Sequence, residues 1–207
     1  MQDATKKSYG QVHPVFALSH AFMISGQPRF LDGALTAYDH YHAHFHDGMF
    51  SGSPAAGTYL PNRTGDLPAT VSYLRNVRDE QNQIIGQEID VDERDVDYMT
   101  HWLESLSTLY DGVGPDHPRR AKVADRANAV GNHIVHTMFQ ETACSDGGCG
   151  YMPWSYNADW SPVVEAYDPF NWWRPYARVS TGHNLEVAFL LSRAVERGFG
   201  DPSAQCR

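Results

Sequence analysis

Apolar residues at helical spacing organise this chain into three units, each with a turn marked by glycine or proline after its first helix. Val15 to Ser25 reads as a helix, Gly26 and Pro28 punctuate it, and Phe30 to about Phe45 carries Leu31, Ala34, Leu35, Tyr38 and Phe45 at helical spacing. Tyr98 to Tyr110 repeats the plan with Trp102, Leu103, Leu106 and Leu109, and Gly112, Gly114, Pro115 and Pro118 make the turn into a longer helix. That helix runs from Arg119 to about Phe139 through Ala124, Ala127, Ile134 and Met138. A third unit begins at His183 and ends near Gly198, where Gly200, Asp201 and Pro202 read as a turn with Asp201 capping a further helix. From Leu185 to Val195 only Glu186, Ser192 and Arg193 break the apolar run, the pattern of a helix enclosed by others.

Two long connections separate the units, His46 to Asp97 and Gln140 to Thr181, both rich in Gly, Pro, Asn and Asp. Loops of this length in a compact domain are usually functional or carry small structures of their own. Val71, Tyr73 and Leu74 before a polar turn and Ile84, Ile85 and Ile89 after it predict a short β-hairpin within Thr70 to Asp90. Repeated helical hairpins predict an all-α chain of the α/α solenoid or toroid type, with inner helix ends and long loops lining a central cleft. The hairpins present would make part of a closed ring, and residues 1–207 read as a single domain.

Composition narrows the functional classes. With 42% hydrophobic and 20% charged residues the chain is an ordinary globular protein, large enough at 207 residues to bury a full core. A formal net charge of -9 gives no footprint for nucleic acid or an acidic membrane surface. No apolar run approaches bilayer-spanning length, and MQDATKKSYG lacks the apolar core of a secretory signal, so a cytoplasmic location is expected. Cys144, Cys149 and Cys206 are too few for a disulfide scaffold or a two-pair zinc pattern.

The most suggestive chemistry is a pair repeated at equivalent places in two units: His183 with Glu186, and His101 with Glu104. Residues three apart share a helix face, so each pair can reach one small ligand together, and histidine titrates near neutrality. A lone histidine here reads more simply as a helix cap or core hydrogen-bonding group; the repetition favours a shared cavity. In Asp39 to Asp47 the spacings His40/His44 and His42/His46 suit metal chelation, but no Glu or Cys completes a catalytic set, and a histidine-rich surface helix is the simpler reading. No metal site is expected. Trp154, Tyr156, Trp160, Trp172, Trp173 and Tyr176, with Asp159 and Arg174, suit a sugar-stacking cleft wall as well as a loop pinned by its own rings.

In this order along the chain, several segments resemble the N-acylglucosamine 2-epimerase superfamily, which includes cellobiose 2-epimerases and aldose–ketose isomerases acting on mannose. The segments are KSYGQVHPVFALSHAF from Lys7, Phe30 to Ala37 with Asp47 to Phe50, HWLESLSTLY from His101, YMPWSYNADWSP from Tyr151, and the Gly-His-x-x-Glu run from Gly182. Ser105 replaces the usual alanine, and His13 stands where an aromatic is expected. The resemblance implies an (α/α)6 barrel and a reaction that moves a proton at the carbon beside a sugar's anomeric carbon through an enediolate. It implies His183 as one of two histidine acid/base catalysts, Glu186 orienting it or holding substrate, and His101, Glu104, Trp160 and Tyr9 as substrate-binding residues, with no metal or organic cofactor.

Members of that family have about twice this length, with the second catalytic histidine in the C-terminal part and a sugar-binding arginine in the N-terminal hairpin. The implied segment is the middle of a barrel, and the implied partners are a mono- or disaccharide and either further copies or a complementing chain. Two other functions fit the pattern: a glycoside hydrolase using Glu104 and Glu186 on the same architecture, and a non-catalytic carbohydrate-binding remnant.

Overall fold

The computed structural model describes residues 5–45, 62–64, 74–89, 94–142, 149–157, 159–169 and 177–199. Its helices are α1 Ser8–Ser25, α2 Pro28–Phe45, α3 Val96–Val113, α4 Arg120–His133 and α5 Thr181–Glu196. α1 packs on α2 and α3, and α3 packs in turn on α4 and α5. Helices α1 and α2 thus form one hairpin, α3 and α4 a second, and α5 opens a third, with α3 in the middle. This is the partial α/α toroid that the repeated turns predict.

Helix boundaries differ from the periodic stretches for identifiable reasons. α1 begins at Ser8 and runs through Pro14, although a proline removes one helical donor and disfavours a helix interior. Tertiary packing outweighs that cost: Val12 and Val15 are fully buried, and Ser105 of α3 donates its hydroxyl to the Val12 carbonyl at 3.0 Å. Ser105 therefore ties two helices together where an alanine would leave that carbonyl without the contact. α3 begins at Val96, with Asp95 as N-cap accepting the Tyr98 N–H at 3.1 Å. It also continues through Gly112, expected in the turn; a Cβ there would meet Ser19 of α1 at 3.8 Å, so this glycine lies in a helix contact. Gly114, with φ 67°, ends the helix in a conformation that favours glycine. α4 is followed by a π-helical turn, Ile134–Met138, closed by Phe139 N–H donating to Ile134 O at 3.1 Å.

The expectation that α5 is enclosed all round is corrected. Only Val187, Leu190 and Ala194 are buried along it, while Leu185 and Phe189 are 68% and 61% exposed. Among the described residues α5 packs chiefly on α3 and α4, which cover one side of an apolar helix.

Short antiparallel ladders complete the architecture: β1 Thr5–Lys7 with β2 Asn62–Thr64, and β3 Leu74–Arg78 with β4 Ile84–Ile89. The second is the predicted hairpin. Its turn is organised by the Asp79 carboxylate, which accepts the N–H groups of Gln81 and Gln83 at 3.0 and 2.8 Å. Val71 and Tyr73, and the turn expected at Gly200 to Pro202, lie outside the described residues.

β5 Arg94–Asp95, β6 Gln140–Thr142, β7 Cys149–Tyr151 and β8 Ser155–Tyr156 form two more ladders, β6 with β7 and β5 with β8. The β5–β8 pair stitches the connection after α4 to the start of α3, and Val96 N–H donates to Trp154 O at 2.9 Å. On its other side the same segment meets the approach to α5, through the Pro153↔Val179 bridge and the Trp154 N–H to Arg178 O bond of 2.9 Å. Asn184, in the first turn of α5, fixes the crossing by accepting the Met152 N–H at 2.7 Å and donating to the Met152 carbonyl at 3.0 Å. The N-terminal ends of α3 and α5 are thereby held beside one strand.

The core follows α3. Trp102 is fully buried between Tyr38 and Tyr41 of α2, with ring centroids 5.9 and 4.3 Å away. A second aromatic group gathers Tyr98, Tyr156, Trp160 and His133, with the Arg94 guanidinium 5.2 Å from the Trp160 ring.

Candidate active site

α3 is buried on most of its surface, yet Asp97, His101 and Glu104 recur at four- and three-residue spacing and form a polar stripe facing α5. His101 Nδ1 lies 2.9 Å from Glu104 Oε2, and its Nε2 lies 3.5 Å from Asp97 Oδ1 and 3.9 Å from Glu186 Oε1. The same Asp97 oxygen is 3.4 Å from Nε2 of His183. The two His-x-x-Glu pairs are therefore brought together across adjacent helices, and Asp97 bridges the two imidazoles.

Hydrogen bonds to Asp97 and then Glu104 stabilise the His101 imidazolium, and despite partial burial they raise its pKa from 6.5 to about 10. His101 is accordingly a cation near neutrality, with both ring nitrogens facing carboxylates. It can hold anionic groups and donate hydrogen bonds, but it is a poor proton acceptor. His13 of α1 flanks it, with ring centroids 5.5 Å apart.

His183 sits in a different setting. Ser180 caps α5, accepting the His183 backbone N–H at 3.3 Å, and the same hydroxyl oxygen lies 2.7 Å from Nδ1. Trp154 meets the imidazole edge-on with centroids 4.3 Å apart and is itself covered by the Arg178 guanidinium at 4.3 Å. The His183 side chain is 32% exposed, open enough to meet a ligand, and Glu186 beside it is 40% exposed. Glu186 is directed toward His101, so its ion-pair partner lies on α3.

The other expected residues are distributed unevenly. Tyr9 lies on α1 one turn before His13, with its side chain outside the described residues. Trp160 is not brought to the cluster: it is 2% exposed, has φ 67°, and packs edge-on to His133 at 4.4 Å in the second aromatic group. Among the described residues the tryptophan that meets His183 is Trp154. Trp172, Trp173, Arg174 and Tyr176 lie outside the described residues, as do Cys144 and His46 and the side chain of His44. His42 stacks on Tyr38 with centroids 6.2 Å apart, and among the described residues no three His, Cys, Asp or Glu side chains gather as a metal site.

Two participants were missed in the sequence, Asp97 and Ser180. Placing the start of α3 at Tyr98 left Asp97 in the preceding loop, and placing the start of α5 at His183 left Ser180 without a partner. The available signals were the Asp97/His101/Glu104 spacing and a serine three residues before a histidine at a helix start.

No protein-family model matches the chain, and no curated protein matches its sequence. Solved structures do match. Cellobiose 2-epimerase from Spirochaeta thermophila superposes with a TM-score of 0.66 at 20% identity, covering 96% of this chain and 40% of that one. A sugar epimerase from a ruminal bacterium gives 0.64 at 18% identity, covering 99% of this chain and 42% of the other. A D-mannose isomerase gives 0.62 at 20% identity, with 93% and 40% covered. Among the described residues no helix is long and apolar enough to cross a membrane. The chain therefore spans about two-fifths of the length of these enzymes and has the fold of that part of their (α/α)6 toroid.

Proposed function

We propose that this chain belongs with the sugar 2-epimerases and aldose–ketose isomerases, and that His183 transfers the proton at the carbon beside the anomeric carbon of an open-chain sugar. The observation that carries this reading is the convergence of His183, Asp97, His101 and Glu186 at the adjoining ends of α3 and α5. Enediolate chemistry needs a group that takes and returns a proton near neutral pH, together with hydrogen-bond donors for the charge that develops on oxygen. His183, partly exposed and held at Nδ1, suits the first role. The His101 imidazolium suits the second, because a fixed cation stabilises an oxyanion without surrendering its own proton. Glu104 and Glu186 orient that cation and offer acceptors to sugar hydroxyls. The likeness in fold to cellobiose 2-epimerase and D-mannose isomerase supports a mono- or disaccharide substrate. Exposure of Leu185 and Phe189 supports association through that face of α5, with another copy or with a complementing chain.

The test is incubation of the full chain with mannose, glucose, cellobiose and N-acetylmannosamine in deuterated water, following exchange at C2 by NMR. Exchange with one of these sugars, abolished by His183→Asn, is the expected result. Glycosidic cleavage without exchange would replace the proposal with the hydrolase reading, and sugar binding with neither would replace it with the non-catalytic one.

A further inference from the structure

Ser180 makes two contacts with one residue. Its Oγ accepts the His183 backbone N–H at 3.3 Å and lies 2.7 Å from Nδ1 of the same residue's ring. On the opposite edge Nε2 faces Asp97 Oδ1 at 3.4 Å, and Trp154 stands edge-on to the ring. A carboxylate accepts hydrogen bonds and does not donate them, so a neutral imidazole in this setting carries its proton on Nε2. Nδ1 is then an acceptor, and the Ser180 O–H is the donor that reaches it, while the hydroxyl oxygen still accepts from the backbone. The other tautomer would set a nitrogen lone pair against the Asp97 oxygen and leave the Ser180 proton aimed away from the ring.

We propose that Ser180 is a positioning residue that selects the tautomer of His183, an assignment whose catalytic meaning rests on His183 being the proton-transfer group. In the resting chain its hydroxyl donates to Nδ1 and keeps the ring proton on Nε2. Work on a substrate at Nε2 needs a proton on Nδ1 instead: a proton taken from solvent water at Nδ1 converts the resting ring to the imidazolium, which gives its Nε2 proton to the substrate or back to water, and the resulting Nδ1–H form takes one back at Nε2. Both working forms donate from Nδ1, and the Ser180 oxygen accepts that bond once its O–H rotates, with no movement of the ring. A carboxylate in its place would accept only, and with Asp97 at Nε2 would hold a proton on Nδ1 as well, as in His101.

The experiment reads the tautomer directly from the imidazole 15N shifts of the full chain, labelled at histidine, at a pH of about 8.5, above the ordinary histidine range. Wild type and Ser180→Thr are expected to carry the His183 proton on Nε2. Ser180→Asp places carboxylates against both ring nitrogens, the setting of His101, and is expected to hold the ring as an imidazolium with a proton on Nδ1; because aspartate also caps helices well, α5 is retained as a control for folding. A wild-type ring protonated at Nδ1, or a Ser180→Asp spectrum with the wild-type tautomer, overturns the assignment. In the C2-exchange assay Ser180→Thr is expected within about threefold of wild type and Ser180→Ala about tenfold or more below it, a fraction of the usual contribution of general acid–base catalysis. Absence of exchange in wild type counts against the proposed function, whereas the 15N spectra decide the role of Ser180 either way.

Discussion

Raising the pH through the alkaline range should destabilise this fold by removing one proton from His101. The imidazole is 15% exposed and faces Glu104 at 2.9 Å and Asp97 at 3.5 Å, and these partners raise its pKa from 6.5 to about 10. The folded state therefore binds this proton more tightly than the unfolded state. The associated stability is fully present below pH 6.5 and is lost as the pH rises through about 10. At about 1.4 kcal/mol per pKa unit the ceiling is roughly 5 kcal/mol. Glu104 and Asp97 are 28% and 21% exposed, so solvent screens the pair, and a realised effect of roughly 2 kcal/mol is expected. The assay is urea unfolding of wild type and His101→Gln at intervals from pH 6.5 to 10. Lysine and tyrosine ionisation affects both proteins, so the informative quantity is the difference in slope. Wild type should lose the extra increment, and its His101 Cε1 proton should show no titration between about pH 5 and 8. Equal slopes, or titration of His101 near 6.5, would refute the reasoning.

His133 should act with the opposite sign. Burial, and then the Arg94 charge, lower its pKa from 6.5 to about 4, so its stabilising effect is complete above 6.5 and lost as the pH falls toward 4. His133→Gln should flatten acid destabilisation over that interval in the same unfolding experiment, and an unchanged slope would argue against it. Ser105→Ala removes the bond to Val12 O and should lower the unfolding free energy by about 1 kcal/mol, readable as a shifted denaturant midpoint without a changed m-value. Gly150→Ala places a Cβ against the Phe139 ring and 2.8 Å from Gln140 O, and should cost roughly 1–3 kcal/mol by thermal melting. A neutral result there would mean that the β6–β7 ladder shifts to accept the methyl group.

Much of the site was legible as local pattern. His101 with Glu104 and His183 with Glu186 share helix faces because i and i+3 positions do so in any α-helix, and both pairs do lie on helices. Asp97 was harder to read because its value depends on where α3 starts, and helix starts turn on one or two residues of capping geometry. Ser180 fell outside a helix read as starting at His183, although it is the helix cap; its second bond to the imidazole depends on the His183 rotamer, and Trp154 adjoins that ring. Trp160 illustrates what local pattern leaves open. An aromatic in a long loop reads equally as a cleft wall or an anchor, and its surroundings of His133, Tyr98 and Arg94 come from elements distant in sequence.

The sequence by itself determined the repeated helix–turn–helix plan, the hairpin in the first long connection and the His-x-x-Glu faces, because helical hydrogen bonds, turns and side-chain periodicity are settled within a few neighbouring residues. Tertiary structure decided that Asp97 serves two imidazoles, that His101 is held as a cation, and that Leu185 and Phe189 stay exposed on a helix whose composition reads as buried. Those properties depend on which remote surfaces meet. The segment from Met152 to Tyr156, clamped between the ends of α3 and α5, brings them together only when the chain is folded.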